Sequence, residues 1–228
     1  MTDKPLAQYK EQIPKPVFAL LEKRGFTSLR PCQWKAIEEG LFADANLLVC
    51  TPTASGKTLV GELAALHAVL RDKGKAVYVV PLRALAAEKH KQFTKDYPQL
   101  SIALASGETD SADAYLARYD IIVATSEKLD SLLRHRAPWI SRVKTLIIDE
   151  IHLLNDASRG PTLEVVVTLL RRILDVQVVG LSATIGNAEE LADWLDAKLV
   201  KDAWRPVRLD KGVYLDGRIT FWHHGREP

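Results

Sequence analysis

An alternation of short apolar segments with longer helical ones most constrains how this chain can fold. Segments that are almost continuously apolar predict strands at residues 46–51, 75–80, 100–105, 121–124, 143–148 and 176–181. Helical patterns follow them at residues 56–71, 82–95, 110–117, 127–135, 162–174 and 188–195. Strands that are apolar throughout are buried on both faces, as in a mostly parallel β-sheet with helices on both faces. The sequence therefore predicts an α/β fold in which the strand-to-helix loops share one edge of the sheet.

The two ends of the chain depart from this alternation. Residues 1–25 form a lead-in with several prolines, and a helix is predicted at residues 32–41. Residues 201–228 contain short β-like segments, at residues 207–209, 213–215 and 219–222, and then stop in polar residues. We therefore place the main domain at residues 26–200, and we expect the abrupt polar ending to reflect a truncation.

Composition excludes several classes of protein. The apolar segments are far too short to span a bilayer, and the first residues lack the layout of a signal peptide, so we expect a cytoplasmic protein with no membrane partner. Cys32 and Cys50 fit reduced, buried thiols, and neither has a Cys or His at metal-ligand spacing. A net charge of +2 says almost nothing about partners, so nucleic-acid binding has to be argued from motifs.

A phosphate-binding loop is predicted at residues 51–58, between a strand and a helix. The backbone N–H groups of such a loop, together with the partial positive charge of the helix N-terminus, bind phosphate oxygens. Lys57 can reach the β and γ phosphates of ATP, and Thr58 can place its hydroxyl on Mg²⁺. The remaining candidates for nucleotide contact are Thr53, Ala54, Ser55 and Gly56. The strict phosphate-loop pattern begins with Gly, where this chain has Thr51. The alternative reading is an ordinary loop before a capped helix that matches the pattern by chance.

Two further motifs follow predicted strands at the same edge. Asp149 and Glu150 end the strand at 143–148, where one carboxylate can complete a Mg²⁺ shell and the other can orient and deprotonate a water. An acidic cap on the next helix is the alternative reading. The tripeptide Ser182-Ala183-Thr184 follows the strand at 176–181, and the hydroxyls of Ser182 and Thr184 can relay hydrogen bonds. A tripeptide of this kind is also common in turns and helix caps, which is the alternative reading.

Together these motifs resemble the first RecA-like motor domain of superfamily 2 helicases, with a DExH-type box at residues 149–152. The resemblance covers about residues 20–215 and is greatest to the superkiller-like branch, which includes archaeal repair helicases and the helicase region of DNA polymerase theta. The sequences of residues 159–164, 180–187 and 204–207 also resemble motifs of that branch. The first P-loop position varies in this superfamily, so Thr51 fits. The resemblance implies a RecA-like P-loop NTPase domain.

The resemblance also implies roles for individual residues. Residues 26–33 correspond to the adenine-reading segment, with Gln33 as the amide that contacts the base. His152, with Ser182 and Thr184, would couple the nucleotide to the rest of the motor. The residues implied to grip a nucleic-acid backbone are Pro81, Arg83, Ser106, Gly107, Thr125 and Lys128. Glu108 follows Gly107 in the same loop.

The implied function is an ATP-dependent helicase or translocase that uses ATP and Mg²⁺ on single-stranded or forked nucleic acid. By the same resemblance DNA is favoured over RNA, the polarity is 3′ to 5′, the context is DNA repair at forks, and the protein is a monomer. The sequence contains no Gln-x-x-Gly-Arg-x-x-Arg element, which in this superfamily belongs to a second RecA-like domain. Its arginine finger is worth about 10³–10⁵ in rate. We therefore expect residues 201–228 to lead toward that domain, and the chain alone to be nearly inactive.

Other functions stay open at this point. A nucleotide-dependent nucleic-acid-binding module without motor activity would explain the missing second domain and the nearly neutral charge. An RNA helicase of the same branch would share every motif, because phosphate-gripping loops do not read bases or the 2′-hydroxyl. A P-loop kinase would leave the element at Ser182 and Thr184 without a role.

Overall fold

The computed structural model describes residues 2–72, 74–107, 113–207 and 210–222. Glu108, the start of the helix expected at residues 110–117 and most of the segment expected at 207–209 lie outside these ranges. The described strands, numbered in chain order, are β1 (Lys4–Pro5), β2 (Ser28–Leu29), β3 (Leu47–Cys50), β4 (Lys75–Val80), β5 (Ile102–Ala105), β6 (Ile121–Thr125), β7 (Val143–Asp149), β8 (Gln177–Ser182), β9 (Lys198–Lys201), β10 (Lys211–Leu215) and β11 (Arg218–Trp222).

The α-helices are α1 (Lys15–Lys23), α2 (Pro31–Glu38), α3 (Lys57–Asp72), α4 (Arg83–Asp96), α5 (Ser126–Arg134), α6 (Gly160–Ile173) and α7 (Ala188–Leu195). Short 3₁₀ helices connect them, at Leu6–Tyr9, Leu41–Ala43, Ala114–Arg118, Pro138–Arg142 and Ile151–Asn155. Within the described ranges, no helix combines the length and the apolar character that crossing a membrane requires.

Strands β3 to β9 form one parallel sheet in the order β5-β6-β4-β7-β8-β3-β9. The predicted parallel sheet is confirmed, and its strands lie within one or two residues of the predicted segments. Strand β9 was not predicted. It lies at the edge of the sheet, and Val200 is its one buried residue, so its sequence lacks the apolar run that marks the inner strands.

Helices cover both faces of the sheet, as the α/β class requires. In β3, Leu47 and Val49 face the core on the side of α1 to α4. Leu48 and Cys50 face the opposite core, with α5 to α7. Successive side chains of a strand point to opposite faces, so one apolar strand supplies both cores. This double burial explains why the strands are apolar throughout.

The lead-in at residues 1–25 belongs to the body of the domain. Leu6, Tyr9, Val17 and Leu21 are buried in the core on the α3 side of the sheet. Arg24, just after α1, donates to the carboxylates of Asp96 in α4 and Glu62 in α3, each at 2.8 Å. These hydrogen bonds tie the segment to the main domain. The lead-in thus packs against the same core as α3 and α4.

The residues that follow β9 still contact the rest of the domain as far as Trp204. Lys35 of α2 forms an ion pair with the buried Asp202, with a nitrogen–oxygen distance of 2.6 Å. Arg30 lies over the Trp204 ring, 5.5 Å from its centroid. Beyond this point β10 and β11 pair as an antiparallel hairpin with exposed side chains. Asp202 and Trp204 thus contact α2 and the residue before it.

Candidate nucleotide and nucleic-acid site

One edge of the sheet carries nearly all the residues predicted to be functional. The carboxyl ends of parallel strands meet at one edge, and ligands bind there in open α/β sheets. The residues that follow or end these strands are Thr51 after β3, Pro81 after β4, Ser106 after β5, Thr125 in β6, Asp149 in β7 and Ser182 in β8. The predicted common edge is confirmed.

The loop between β3 and α3 has the shape of a phosphate cradle. Its backbone adopts positive φ values at Ala54 (+65°) and Gly56 (+94°), and α3 begins at Lys57. The Thr51 and Ser55 hydroxyl oxygens are 2.7 Å apart, which closes the loop on itself. The φ of +94° favours Gly at position 56, and a Cβ there would also lie 2.5 Å from the Gln33 amide nitrogen, so the Gln33 side chain would have to move.

Gln33 holds the phosphate loop from the side. Its amide oxygen accepts from the Arg30 N–H at 2.8 Å, and its amide nitrogen donates to the Gly56 carbonyl at 3.0 Å. The side chain is buried, and it borders a cavity of about 550 Å³ shared with Phe26 and Thr58. The segment predicted to read adenine therefore adjoins the loop predicted to hold phosphate. The second N–H of the amide stays available for a base.

Lys57, Glu150, His152 and Ser182 form a connected series. The Lys57 ammonium lies 3.6 Å from one Glu150 oxygen, and the other Glu150 oxygen lies 3.4 Å from His152 Nδ1. Ser182 Oγ lies 3.4 Å from the same His152 nitrogen. Thr184 is exposed and borders a different cavity, together with Lys35 and Trp204. The structure thus brings together four of the predicted residues and leaves Thr184 apart.

Asp149 is the carboxylate best placed for a cation. Its Oδ2 accepts from the Tyr78 hydroxyl at 3.1 Å, and its Oδ1 accepts from the Glu150 N–H at 3.1 Å. Burial, and then the charge of Glu150, raise the pKa of Asp149 above its ordinary value. The adjacent Asp149 and Glu150 carboxylates repel each other in this half-buried place. A cation that lies between these carboxylates and a ligand would therefore be favoured.

The donor set at this place fits Mg²⁺ bound with a nucleotide. Thr58 and Asp149 offer oxygen atoms, which Mg²⁺ prefers, and Mg²⁺ usually keeps only one or two protein carboxylates beside phosphates and waters. In the described part of the chain, no group of three or more His, Cys, Asp or Glu side chains could hold a metal ion by itself. A cation here would therefore depend on the oxygens of the nucleotide.

A groove of about 440 Å³ shares Pro81 with the cavity that Asp149 and Glu150 line, and we call it the strand groove. It is lined by Pro81, Leu82, Arg83, Ser106, Gly107, Thr125, Glu127, Lys128, Ser131 and Arg159. All six residues implied to grip nucleic acid are among them. They come from three different loops, after β4, β5 and β6, so the shared edge of the sheet is what assembles the groove.

Lys128 lies in the wall of the strand groove. Its side chain is almost fully buried, and its ammonium forms an ion pair with Asp113 at 2.7 Å. Its backbone N–H donates to the Thr125 hydroxyl at 3.4 Å, which caps α5. Lys128 therefore fixes the wall of the groove, because its charge is already matched. Arg159 was not among the predicted contacts, although it opens the motif at residues 159–164.

Comparison with known proteins agrees with this geometry. The profile of the DEAD/DEAH box helicase family matches residues 30–191, which is most of the chain. The chain belongs to the DEAD/DEAH box helicase family. Its nucleotide use follows from that membership, and the matched range contains Gln33, Lys57, the DExH-type box and Ser182. The superfamily 2 resemblance of the sequence is thereby confirmed.

Similar proteins include the ATP-dependent DNA helicase Hel308 of Pyrococcus horikoshii, 52% identical over 210 residues. Hel308 of Methanococcus vannielii is 50% identical over 213 residues. These alignments cover 91% and 90% of this chain, but only 29% and 28% of the two relatives. The chain thus spans under a third of the length of these curated relatives.

Solved structures of the DUF1998 helicase MrfA have the same fold. The complex with DNA superposes with a TM-score of 0.73 at 25% identity, and the complex with DNA and AMPPNP with 0.74 at 26%. Both comparisons cover 88% of this chain, and 31% and 30% of MrfA. The RecA-like α/β architecture is therefore that of a helicase domain.

Proposed function

We propose that this chain is the ATP-binding motor domain of an ATP-dependent DNA helicase. The observation that carries the proposal is the gathering of two sites at one sheet edge. Lys57 and Glu150 lie within 3.6 Å of each other beside the phosphate loop, and the strand groove opens next to them. A domain with only a nucleotide site would have no use for the second.

The nucleotide would occupy the loop between β3 and α3, with its phosphates near Lys57. Gln33 borders the cavity that extends from this loop, so the base would lie there. Thr58 and Asp149 would hold Mg²⁺, which supplies positive charge to the phosphate oxygens when it is bound. Glu150 would orient the attacking water and take its proton, and its contacts with Lys57 and His152 hold the carboxylate in place.

The strand would lie in the strand groove and be held by its phosphates. Hydroxyls, backbone N–H groups and helix N-termini contact phosphates without reading bases. A preference for DNA over RNA is supported by the names of the Hel308 relatives and by the DNA-bound MrfA structures. A 3′ to 5′ polarity and a role at forks remain parts of this proposal.

Turnover would require a second RecA-like domain that supplies arginines to the transferring phosphoryl group. The greater length of the Hel308 relatives leaves room for such a domain. The chain by itself should bind ATP and hydrolyse it barely, as a monomer.

The test measures binding and hydrolysis with the chain as it is. Calorimetry with a non-hydrolysable ATP analogue and Mg²⁺ should show one site, and fluorescence anisotropy should show salt-sensitive binding of labelled oligo(dT). Oligo(rU) should bind no more tightly than oligo(dT), because the contacts are with phosphates, and phosphate release should stay near background with either. Strong DNA-stimulated hydrolysis by this chain alone would refute the need for a second domain, and tighter binding of oligo(rU) would favour an RNA helicase.

A further inference from the structure

The strand groove contains a positive side chain that the implied nucleic-acid contacts leave out. Among the described residues that line it, the cations are Arg83, Lys128 and Arg159. Lys128 is matched by Asp113 inside the wall, with 3% of its side chain exposed. The Arg159 guanidinium has neither an ion pair nor a hydrogen bond with any residue in the described ranges. Its charge acts on the nearby Asp156 carboxylate without a direct ion pair, so the guanidinium N–H groups can still meet a ligand in the groove.

The backbone of Arg159 is nonetheless held firmly. The Asp156 carboxylate accepts from the N–H groups of Ser158 and Arg159, at 2.9 and 3.0 Å, and from the Ser158 hydroxyl at 2.6 Å. The Gly160 N–H then donates to the Asp156 carbonyl at 2.8 Å, and α6 begins. A fixed backbone lowers the conformational entropy that is lost when the side chain binds a ligand. The turn thus presents the half-buried Arg159 side chain from a fixed backbone.

We propose that Arg159 binds a backbone phosphate of single-stranded nucleic acid in the strand groove. The inference rests on the strand-binding function proposed above and adds a residue to it. A guanidinium matches two phosphate oxygens with two parallel N–H groups, and it keeps its charge at every physiological pH. Glu127 is the acidic side chain described along the groove, and a phosphate would have to lie on the side away from it. Such a contact positions the strand and reads no base.

The test is anisotropy of a labelled oligo(dT) with the whole chain over a series of KCl concentrations. Arg159→Ala should weaken binding about tenfold at low salt, and the slope of log K against log salt should fall by about 0.7, the value for one phosphate contact on a single strand. Arg159→Lys should restore most of the slope because it restores the charge. A purely structural role for Arg159 would not change the slope by one contact.

Arg172→Ala is the matched control, since Arg172 is an exposed arginine in the last turn of the same helix. It lies roughly 20 Å from Arg159 along the helix axis, so affinity and slope should not change. All variants should bind the ATP analogue like the unmodified chain, which checks the fold. If the unmodified chain binds oligo(dT) and Arg159→Ala or Arg159→Gln keeps its slope, the role of Arg159 is refuted. If the unmodified chain does not bind even at the lowest salt, the strand groove itself is refuted.

Discussion

Glu150 has a backbone conformation that few residues other than Gly and Asn adopt, with φ +52° and ψ +45°. Left-handed geometry of this kind costs on the order of 1 kcal/mol or more for an L residue. It ends β7 abruptly and directs the Glu150 carboxylate to Lys57 and His152, while Asp149 stays against Tyr78. Adjacent carboxylates thereby have different partners, which suits one for a cation and the other for a water.

Lys57→Ala and Glu150→Gln should separate binding from hydrolysis. The first should abolish binding of ATP analogues, because it removes the cation that reaches the phosphates. The second should leave binding intact and stop turnover in a protein that includes the second RecA-like domain, because an amide takes up no proton. Calorimetry and phosphate release measure the two effects. Lys91→Ala, on the exposed side of α4, should change neither. Undiminished turnover by Glu150→Gln would show that another group is the base.

Asp149→Asn should stabilise the chain and remove Mg²⁺-dependent nucleotide binding. Burial and Glu150 raise the pKa of Asp149, so at neutral pH its ionised form costs the folded state free energy. A raised carboxyl pKa makes the unmodified chain lose stability as pH rises through that pKa. The variant should therefore unfold at a higher temperature at neutral pH, and the difference should shrink as pH falls toward the ordinary value of 3.8. Thermal unfolding over a pH series measures it, and a gap that widens in acid would contradict the assignment.

The turn between β7 and α6 is short, and it joins Asp149 and Glu150 to the strand groove. Its 3₁₀ helix, Ile151–Asn155, leads into the Asp156 turn and then into Gly160, which packs against the preceding backbone. A Cβ at Gly160 would lie 2.1 Å from the Leu154 carbonyl oxygen. Because the obstacle is backbone, the close approach requires Gly whatever the value of φ.

Gly160→Ala should destabilise the chain by about 1–3 kcal/mol, the usual cost of overpacking. Urea unfolding measures this loss. Gly186→Ala is the control, since a Cβ at Gly186 would have no heavy atom within 4 Å. Equal stability of the two variants would mean that the turn relaxes easily and is not rigid.

Some elements were predictable from sequence, and others were hidden for physical reasons. The inner strands were predicted because burial on both faces leaves a continuous apolar run, as in β4 and β8. Helix α1 was missed because Pro14 and Pro16 suggest a broken segment, although Pro is tolerated in the first turn of a helix. The ion pair of Lys128 was also hidden, since its partner Asp113 lies on another element and no local pattern marks it.

At the scale of the molecule, the hairpin of β10 and β11 stands apart from the body. Its large apolar side chains are 52–70% exposed: Val213, Tyr214, Leu215, Ile219 and Phe221. A two-stranded hairpin is marginally stable by itself, and an exposed apolar patch promotes association. The parallel sheet is complete without it.

Removal of residues 208–228 should leave the unfolding temperature unchanged and reduce aggregation. The sheet and both cores lie before residue 202, so no described core contact is lost. Calorimetry measures the transition, and light scattering during heating measures association. Replacement of Tyr214 and Leu215 by Ser in the whole chain should give the same reduction. A lower unfolding temperature in the shortened chain would show that the hairpin packs on the domain.

The location of the site was predictable because every parallel strand delivers its loop to one edge, yet the strand order adds something that no single motif contains. In the order β5-β6-β4-β7-β8-β3, the first three strands end in the strand groove and the last three in the nucleotide site. The division falls between β4 and β7, where the Tyr78 hydroxyl of one half bonds Asp149 of the other. Under the proposed function, changes in the loops after β4, β5 and β6 would therefore tune the grip on the polymer, while the chemistry of hydrolysis would stay unchanged.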